Sequence, residues 1–184
     1  YTKLYKTDES TTSFSKDYYE GYEGYTSKET SDGGCIFVGS STVGENITIL
    51  LIKTDPSGNI IWAKNYGGDQ GFHTGFDVAE TNDGGFIITG QFKSLYSDVC
   101  LIKTNSNGDT QWIKSFGGDE DDIGYSVQQT SDGGFIIAGK KVEYNHKYLY
   151  LIKTNASGDK QWDDKYAYGS EGNSVRQMND GGFI

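Results

Sequence analysis

The motif Leu51-Ile52-Lys53-Thr54 recurs unchanged at residues 101–104 and 151–154, and a weaker copy, Leu-Tyr-Lys-Thr, lies at residues 4–7. A large aromatic residue follows each copy at a similar distance: Trp62, Trp112, Trp162 and, after the weaker copy, Phe14. The triplet Asp-Gly-Gly also returns, beginning at Asp32, Asp83, Asp132 and Asp180. Self-similarity at a period of about 50 residues indicates a repeat architecture.

Each repeat reads as four short strands, here named A to D. In the third repeat, residues 124–130 and 135–139 have strand character and are joined by a turn with the sequence Ser-Asp-Gly-Gly. Residues 148–154 and 160–166 form a second strand pair around the turn Asn-Ala-Ser-Gly-Asp. Strand, glycine-containing turn and strand make a β-hairpin, so the pattern predicts two hairpins in each repeat.

Four antiparallel strands in each repeat of about 50 residues predict an all-β fold, a β-propeller of four-stranded blades. Whole blades are expected at residues 24–66, 75–116 and 124–166. A C–D half-blade is expected at residues 1–20 and an A–B half-blade at residues 172–184. Two arrangements fit: the half-blades pair and close a four-bladed ring, or the chain is part of a larger propeller. A solenoid of hairpins is the structural alternative.

The repeated motifs also resemble a known group of proteins. The order Asp-Gly-Gly-Phe-Ile-Ile-x-Gly, then Leu-Ile-Lys-Thr-Asn-x-x-Gly-Asp, then Trp and Gly-Gly-Asp is similar to the β-propeller repeats of secreted and surface proteins of bacteria and archaea. The resemblance covers essentially the whole chain. It implies a propeller at the cell surface or outside the cell, and it specifies no ligand.

Composition narrows the possible partners and functions. The formal net charge of −10 gives a surface that repels phosphate backbones, so no nucleic-acid partner is expected. No apolar run approaches the roughly 18 residues that a membrane-spanning helix needs. Cys35 and Cys100 occupy different places in the repeat and are expected to be isolated thiols inside strands.

The repeats separate two kinds of loop. The A–B and C–D turns are short and nearly identical, and they define a short-turn face. The D–A and B–C connections differ between repeats and define a variable-loop face, where a binding site is expected. The candidate ligand-binding residues there are Tyr19, Tyr22, Glu23, Asp69, His73, Tyr96, Asp119, Glu120, Asp121, Asp122, Tyr144, His146 and Glu171.

Three further groups of residues are a possible calcium site, the repeated tryptophans and the turn glycines. Asp119, Asp121 and Asp122 could supply oxygen ligands to calcium, although the run matches no EF-hand loop; no other cofactor is expected. The three tryptophans are expected to pack between adjacent blades. The glycines of the A–B turns, Gly33, Gly84, Gly133 and Gly181, serve the turn conformation.

The expected function is non-catalytic. His73 and His146 lie in loops of different repeats, and no serine or cysteine nucleophile is spaced to work with either. The chain is therefore interpreted as a binding or structural module, with a protein or glycan partner at the variable-loop face and room for assembly with other chains or further blades. The alternatives are a carbohydrate-binding propeller with repeated pockets, and part of a quinoprotein or hydrolase propeller enzyme.

Overall fold

The computed structural model of the chain describes residues 5–6, 12–13, 22–68 and 71–184, and within these ranges it is all β with no helix. The all-β prediction is thus confirmed. The fourteen strands are β1 (Tyr5–Lys6), β2 (Thr12–Ser13), β3 (Tyr22–Glu29), β4 (Cys35–Val43), β5 (Asn46–Thr54), β6 (Ile60–Tyr66), β7 (Thr74–Glu80), β8 (Phe86–Lys93), β9 (Ser97–Thr104), β10 (Thr110–Phe116), β11 (Ile123–Gln129), β12 (Phe135–Glu143), β13 (His146–Thr154) and β14 (Lys160–Tyr168).

Twelve of the strands form three antiparallel sheets of four strands each, in the orders β3-β4-β5-β6, β7-β8-β9-β10 and β11-β12-β13-β14. Within each sheet, every strand is therefore hydrogen-bonded to the strand that follows it in the chain. β1 and β2 form a separate two-stranded hairpin, and Gln177 pairs with Phe183 in a single bridge near the other end of the chain. Among the described residues no helix is long and apolar enough to cross a membrane.

A buried lysine ties the A–B turn of each sheet to its third strand. In the second sheet, the Lys103 side chain is 6 % exposed, and its ammonium donates to both Asp83 carboxylate oxygens at 2.9 and 3.0 Å and to the Thr104 carbonyl at 2.8 Å. Lys53 and Lys153 make the same contacts in the other two sheets. A buried ammonium requires such compensation, so each sheet holds its turn in one place.

The same contact explains the second glycine of Asp-Gly-Gly. A Cβ atom on Gly85 would lie 2.1 Å from the Thr104 carbonyl oxygen and 2.6 Å from the Lys103 ammonium nitrogen. Burial raises the pKa of Asp83, but hydrogen bonds from the Thr81 hydroxyl and the Lys103 ammonium outweigh it and bring the pKa to about 2. The turn is therefore closely packed around an ion pair, and residue 85 has no space for a side chain.

Neighbouring sheets pack face to face through aromatic rings. The Trp62 ring of the first sheet lies edge-on to Phe86 of the second, with ring centroids 5.8 Å apart, and Trp112 meets Phe135 of the third at the same distance. Trp62 also lies against Gly108, in the turn between β9 and β10. The buried residues Ile36, Val38, Ile88, Cys100 and Ile102 belong to one core cluster between the first two sheets. Cys100 is a buried free thiol in β9, and Cys35 lies at the start of β4 in a different place in the repeat.

A hydrogen bond also links successive sheets at the short-turn face. The Ser31 backbone N–H donates to Glu80 at 2.7 Å, and the Asn82 N–H donates to Gln129 at 2.8 Å. The Ser131 N–H likewise donates to Gln177 at 2.8 Å. In each of these repeats, the A–B turn is thus hydrogen-bonded to a side chain at the end of the next inner strand. These side chains therefore have a structural role.

We expect Gly85→Ala to lower the free energy of unfolding by about 1–3 kcal/mol, because the added methyl group meets backbone and a buried ammonium. Urea unfolding followed by tryptophan emission would measure the loss. Gly118→Ala is the matched control, since a Cβ atom there meets nothing within 4 Å. Equal stability of the two variants would contradict the close packing of the turn.

Candidate functional site: the cavity between the inner strands

The antiparallel order places the two kinds of loop at opposite ends of the sheets. The A–B and C–D turns form the short-turn face, whereas the β4–β5, β8–β9 and β12–β13 turns lie at the variable-loop face. The connections between sheets, such as residues 117–122, also lie at that face. Each inner strand therefore begins at the variable-loop face and runs toward the short-turn face.

A cavity of about 850 Å³ lies between the inner strands β3, β7 and β11 and residues 173–176 of the fourth repeat. All four repeats contribute equivalent positions to its wall. Its volume falls within the range of about 300–1,000 Å³ that is usual for ligand sites. Three aromatic residues in equivalent positions, Tyr25, Phe76 and Tyr125, line it close to the variable-loop face.

A β-bulge directs these three rings. Gly24 pairs with Gly39 and Thr26 with Val38, so Tyr25 is an extra residue without a partner in β4. The register shifts in the same way at Phe76 and Tyr125. A bulge changes the direction in which a side chain projects from its strand. Here it accompanies three aromatic side chains that line the cavity.

The bulge also requires a glycine on the partner strand. A Cβ atom on Gly90 would lie 1.9 Å from the Thr74 carbonyl oxygen, one residue before the bulged segment of β7. Gly39 and Gly139 meet the same obstacle in the first and third sheets. The final glycine of Asp-Gly-Gly-Phe-Ile-Ile-x-Gly thus accommodates the bulge.

The three rings contact one another and form what we call the aromatic arc, composed of Tyr25, Phe76 and Tyr125. The ring centroids of Tyr25 and Phe76 are 4.9 Å apart with an interplanar angle of 72°. Those of Phe76 and Tyr125 are 5.5 Å apart at 61°. Tyr25 is 45 % exposed, and the other two side chains are partly exposed. The arc is therefore a solvent-accessible aromatic surface built from three repeats.

A carboxylate lies near each end of the arc. The Tyr25 hydroxyl donates to the exposed Glu23 carboxylate at 2.6 Å, and burial together with this bond raises the pKa of Tyr25 to about 12. At the other end, burial and then the negative charge of Glu171 raise the pKa of Tyr125. Glu171 also pairs with the Lys147 ammonium at 3.2 Å. Two sequence-derived candidates, Glu23 and Glu171, thus flank the arc.

The cavity wall beyond the arc contains an internal ion pair. The Lys28 ammonium lies 2.8 Å from Asp77 Oδ1, and Asp77 Oδ2 accepts the backbone N–H of Val127 at 2.9 Å. Asp77 thereby joins all three inner strands. In the fourth repeat, Asn173 takes the position of the aromatic residues, and the exposed Arg176 takes that of Lys28. Three sides of the cavity mouth are aromatic and the fourth carries an amide.

The acidic run at residues 119–122 binds backbone groups of neighbouring turns. Glu120 accepts the N–H of Asn145 at 3.0 Å, and Asp121 accepts that of Ser97 at 2.8 Å. Asp119 is exposed. Within the described ranges, no group of three or more His, Cys, Asp or Glu side chains is arranged to hold a metal ion. The observed role of Glu120 and Asp121 is to attach this connection to the β8–β9 and β12–β13 turns.

Asp122 is the exception in this run because it is fully buried. Its Oδ1 accepts the N–H of Val142 at 2.9 Å, whereas its Oδ2 has no hydrogen-bond partner. Burial raises the pKa of Asp122 to about 6, the nearby Asp98 charge adds to the rise, and Lys140 and Lys141 oppose it. Burial also raises the pKa of Asp98. The structure thus holds a buried carboxyl group that keeps its proton to a higher pH than an exposed aspartate does.

The remaining candidates are spread over the variable-loop face. His73 is buried against the Phe92 ring, with centroids 5.0 Å apart, and its Nδ1 accepts the N–H of Lys93. His146 instead contacts Tyr168, 3.1 Å from Nδ1 to the hydroxyl oxygen. Tyr96 and Tyr144 are exposed in separate turns, Tyr22 begins β3, and Tyr19 and Asp69 lie outside the described residues.

The sequence-derived candidates lie mainly in loops, whereas the aromatic arc lies in strands. Its signal in the sequence is a glycine followed by an aromatic residue at the start of three repeats: Gly24-Tyr25, Gly75-Phe76 and Gly124-Tyr125. A comparison of the chain with protein-family models finds no match, and a comparison with curated proteins also finds none.

We expect Asp122→Asn to stabilise the protein at pH 8 by about 2 kcal/mol relative to the original chain, and to have little effect at pH 4. An unfolded aspartate loses its proton near pH 4, whereas folded Asp122 keeps it to about pH 6. Because the folded pKa is raised, the stability associated with this proton is complete below pH 4 and is lost as the pH rises through 6. Asparagine carries no such charge.

Urea unfolding midpoints at one-unit steps from pH 4 to pH 8 would measure this difference. Asp119→Asn is the control, since Asp119 is exposed in the same connection and its replacement should leave the pH profile unchanged. A constant difference between Asp122→Asn and the original chain at every pH would show that Asp122 ionises as it does in the unfolded chain.

Proposed function

We propose that the three sheets are blades of a β-propeller and that the chain is a non-catalytic binding module at the cell surface or outside the cell. Three observations support the propeller: the strand order is the same in each sheet, each sheet packs on the next through the same tryptophan position, and all four repeats line one cavity. The β1–β2 hairpin would belong to a fourth blade, in a closed ring of four or in a larger ring.

The observation that carries the binding proposal is the aromatic arc at the variable-loop face. Three partly exposed rings and an unmatched asparagine line the cavity there, and a carboxylate lies beside each end of the arc. At the short-turn face, by contrast, the same positions of successive repeats are used in hydrogen bonds and ion pairs between sheets. Exposed aromatic groups beside polar ones are typical of recognition surfaces.

The resemblance of the repeats to those of secreted and surface proteins supports the proposed location. The net charge of −10 argues against a nucleic-acid partner. Catalysis has little support, because the two histidines belong to different repeats and each has another contact. His73 is packed against Phe92, and His146 contacts the Tyr168 hydroxyl. Neither imidazole lies among the residues that line the cavity.

A glycan ligand is the second candidate. The observation that favours it is Asn173, an exposed amide at the mouth of the cavity opposite three rings. Aromatic rings accept the apolar face of a sugar, and amides bind its hydroxyl groups. This version places one site in the cavity rather than a repeated pocket between blades.

Selection of ligands from a random peptide library and on a glycan array would test the proposed face. Ligands recovered with the original protein should bind about tenfold more weakly to Tyr125→Ala, because truncating a central contact residue costs 1 kcal/mol or more. Asn107→Ala, in a C–D turn at the short-turn face, should bind them unchanged. Tryptophan emission would establish that both variants are folded.

The opposite result would overturn the assignment of the binding face. If the recovered ligands lose affinity with Asn107→Ala and keep it with Tyr125→Ala, recognition belongs to the short-turn face. If a panel of peptides and glycans of all charge types yields no ligand sensitive to either variant, the binding function itself is not supported.

A further inference from the structure

The aromatic arc has a charge environment that distinguishes between classes of ligand. The ring faces of Tyr25, Phe76 and Tyr125 carry partial negative charge, and the rings are spaced at 4.9 and 5.5 Å. The Glu23 carboxylate is bonded to the Tyr25 hydroxyl at one end. At the other end, Glu171 precedes Gly172, whose N–H donates to the Gly139 carbonyl at 2.8 Å, and Gly139 pairs with Gly124 beside Tyr125. Negative charge and aromatic faces therefore coincide at the mouth of the cavity.

The surroundings of the arc reinforce this polarity. The Lys147 ammonium, 3.2 Å away, offsets part of the charge of Glu171, whereas Asp119 lies exposed in the connection that leads into the strand of Tyr125. The whole chain carries a formal net charge of −10. A cation approaching the variable-loop face is thus attracted over long distances and meets aromatic faces on arrival.

The deeper part of the cavity carries charged side chains of both signs. Lys28 and Arg176 occupy equivalent positions three residues beyond those of the arc, about 10 Å further along the inner strands. Lys28 is matched by Asp77, whereas Arg176 makes no ion pair among the described residues. Glu29 and Glu80 also line this part of the cavity, so the feature that distinguishes the arc from it is the aromatic surface.

We propose that the aromatic arc, flanked by Glu23 and Glu171, is a recognition site for a cationic side chain of a partner peptide: a lysine or a methylated lysine. This inference rests on the proposed binding function and specifies the chemistry of the partner. The rings contribute cation–π attraction to the ammonium group, and the two carboxylates contribute charge. The rings are expected to increase the affinity for the cation by roughly 2- to 30-fold, which corresponds to about 0.5–2 kcal/mol of binding free energy.

Two small probes of matched shape test the proposal: Nα-acetyl-Nε-trimethyl-lysine amide and its uncharged isostere, in which carbon replaces the quaternary nitrogen. Each is titrated into the intact protein while the methyl resonance of the probe and the ring resonances of Phe76 are followed by NMR. We expect saturable binding of the charged probe and at least about fivefold weaker binding of the isostere. Raising the salt to 0.5 M should weaken only the charged probe, in line with a Debye length of about 4 Å at that ionic strength.

Substitutions separate the contribution of the rings from that of general acidity. Tyr25→Leu and Tyr125→Leu keep an apolar side chain but remove a ring, and each should weaken the charged probe about threefold or more. Tyr166→Leu is the matched control: Tyr166 is 47 % exposed, close to the 45 % of Tyr25, and the Asp164 carboxylate raises its pKa, as Glu23 does for Tyr25, but it lies outside the cavity. Tyr166→Leu should have no effect on the probe.

The flanking carboxylates are tested by Glu23→Gln and Glu171→Gln. Each should weaken the charged probe at low salt and leave the isostere unchanged. Thermal unfolding of every variant would separate a loss of binding from a loss of structure.

Several outcomes would overturn the proposal. Equal binding of both probes would indicate a merely apolar site, and failure of both to bind would exclude a cation site. If no ring substitution affects binding of the charged probe, the binding results from the overall negative charge of the protein and not from the aromatic arc. If methyl glucoside shifts the Phe76 resonances and the charged probe does not, the cavity is a sugar site. Peptides from the library that map to the variable-loop face without enrichment in lysine would refute the cationic partner while leaving the binding function intact.

Discussion

The rest of the structure depends on a buried ammonium group in each sheet. An unpaired ammonium in the interior would be strongly destabilising, so Lys103 must bind the Asp83 carboxylate and the Thr104 carbonyl at the same time. These contacts hold the A–B turn against the third strand and leave space only for glycine at residue 85. With this end of each sheet fixed, the connections that differ between repeats lie at the opposite end.

Contacts between sheets propagate this order from one repeat to the next. The turn held by the ammonium donates its backbone N–H to the following inner strand, as Ser31 does to Glu80. The tryptophan on the outer strand packs on the next sheet, as Trp62 does on Phe86. Both contacts recur in the next repeat, as Asn82 with Gln129 and Trp112 with Phe135, so each inner strand has a defined position relative to its neighbours. A cavity with equivalent walls follows from the repetition of these contacts.

The repeat period predicts the three hairpin-rich sheets because local pattern and turn chemistry agree in every copy. The strands β11 to β14, for example, begin and end within a few residues of the expected positions. The β-bulges at Tyr25, Phe76 and Tyr125 are less visible from sequence, because a bulge depends on pairing with a partner strand and not on the residue type alone. The same limit applies to His73: its burial against Phe92 results from tertiary packing, which a loop sequence does not encode locally.

The acidic run illustrates why composition alone gives a poor account of function. Four consecutive carboxyl residues look equivalent in the sequence, but the fold assigns them different environments: Asp119 is exposed, Glu120 and Asp121 bind peptide N–H groups of neighbouring turns, and Asp122 is buried.

Departures from the repeat are more informative about ligands than the repeat itself, because a scaffold contact must recur whereas an asymmetric ligand needs different groups on different sides. Within the cavity, the aromatic position becomes Asn173 in the fourth repeat, and the position of Lys28 becomes Ala79, Gln128 and Arg176 in the others. The threonine or serine of three repeats becomes Asp77 in the second, where it neutralises Lys28. The cavity is therefore symmetric in backbone and asymmetric in chemistry. A ligand bound there would be held in one orientation, with its cationic or apolar group on the arc and its hydrogen-bonding groups toward Asn173.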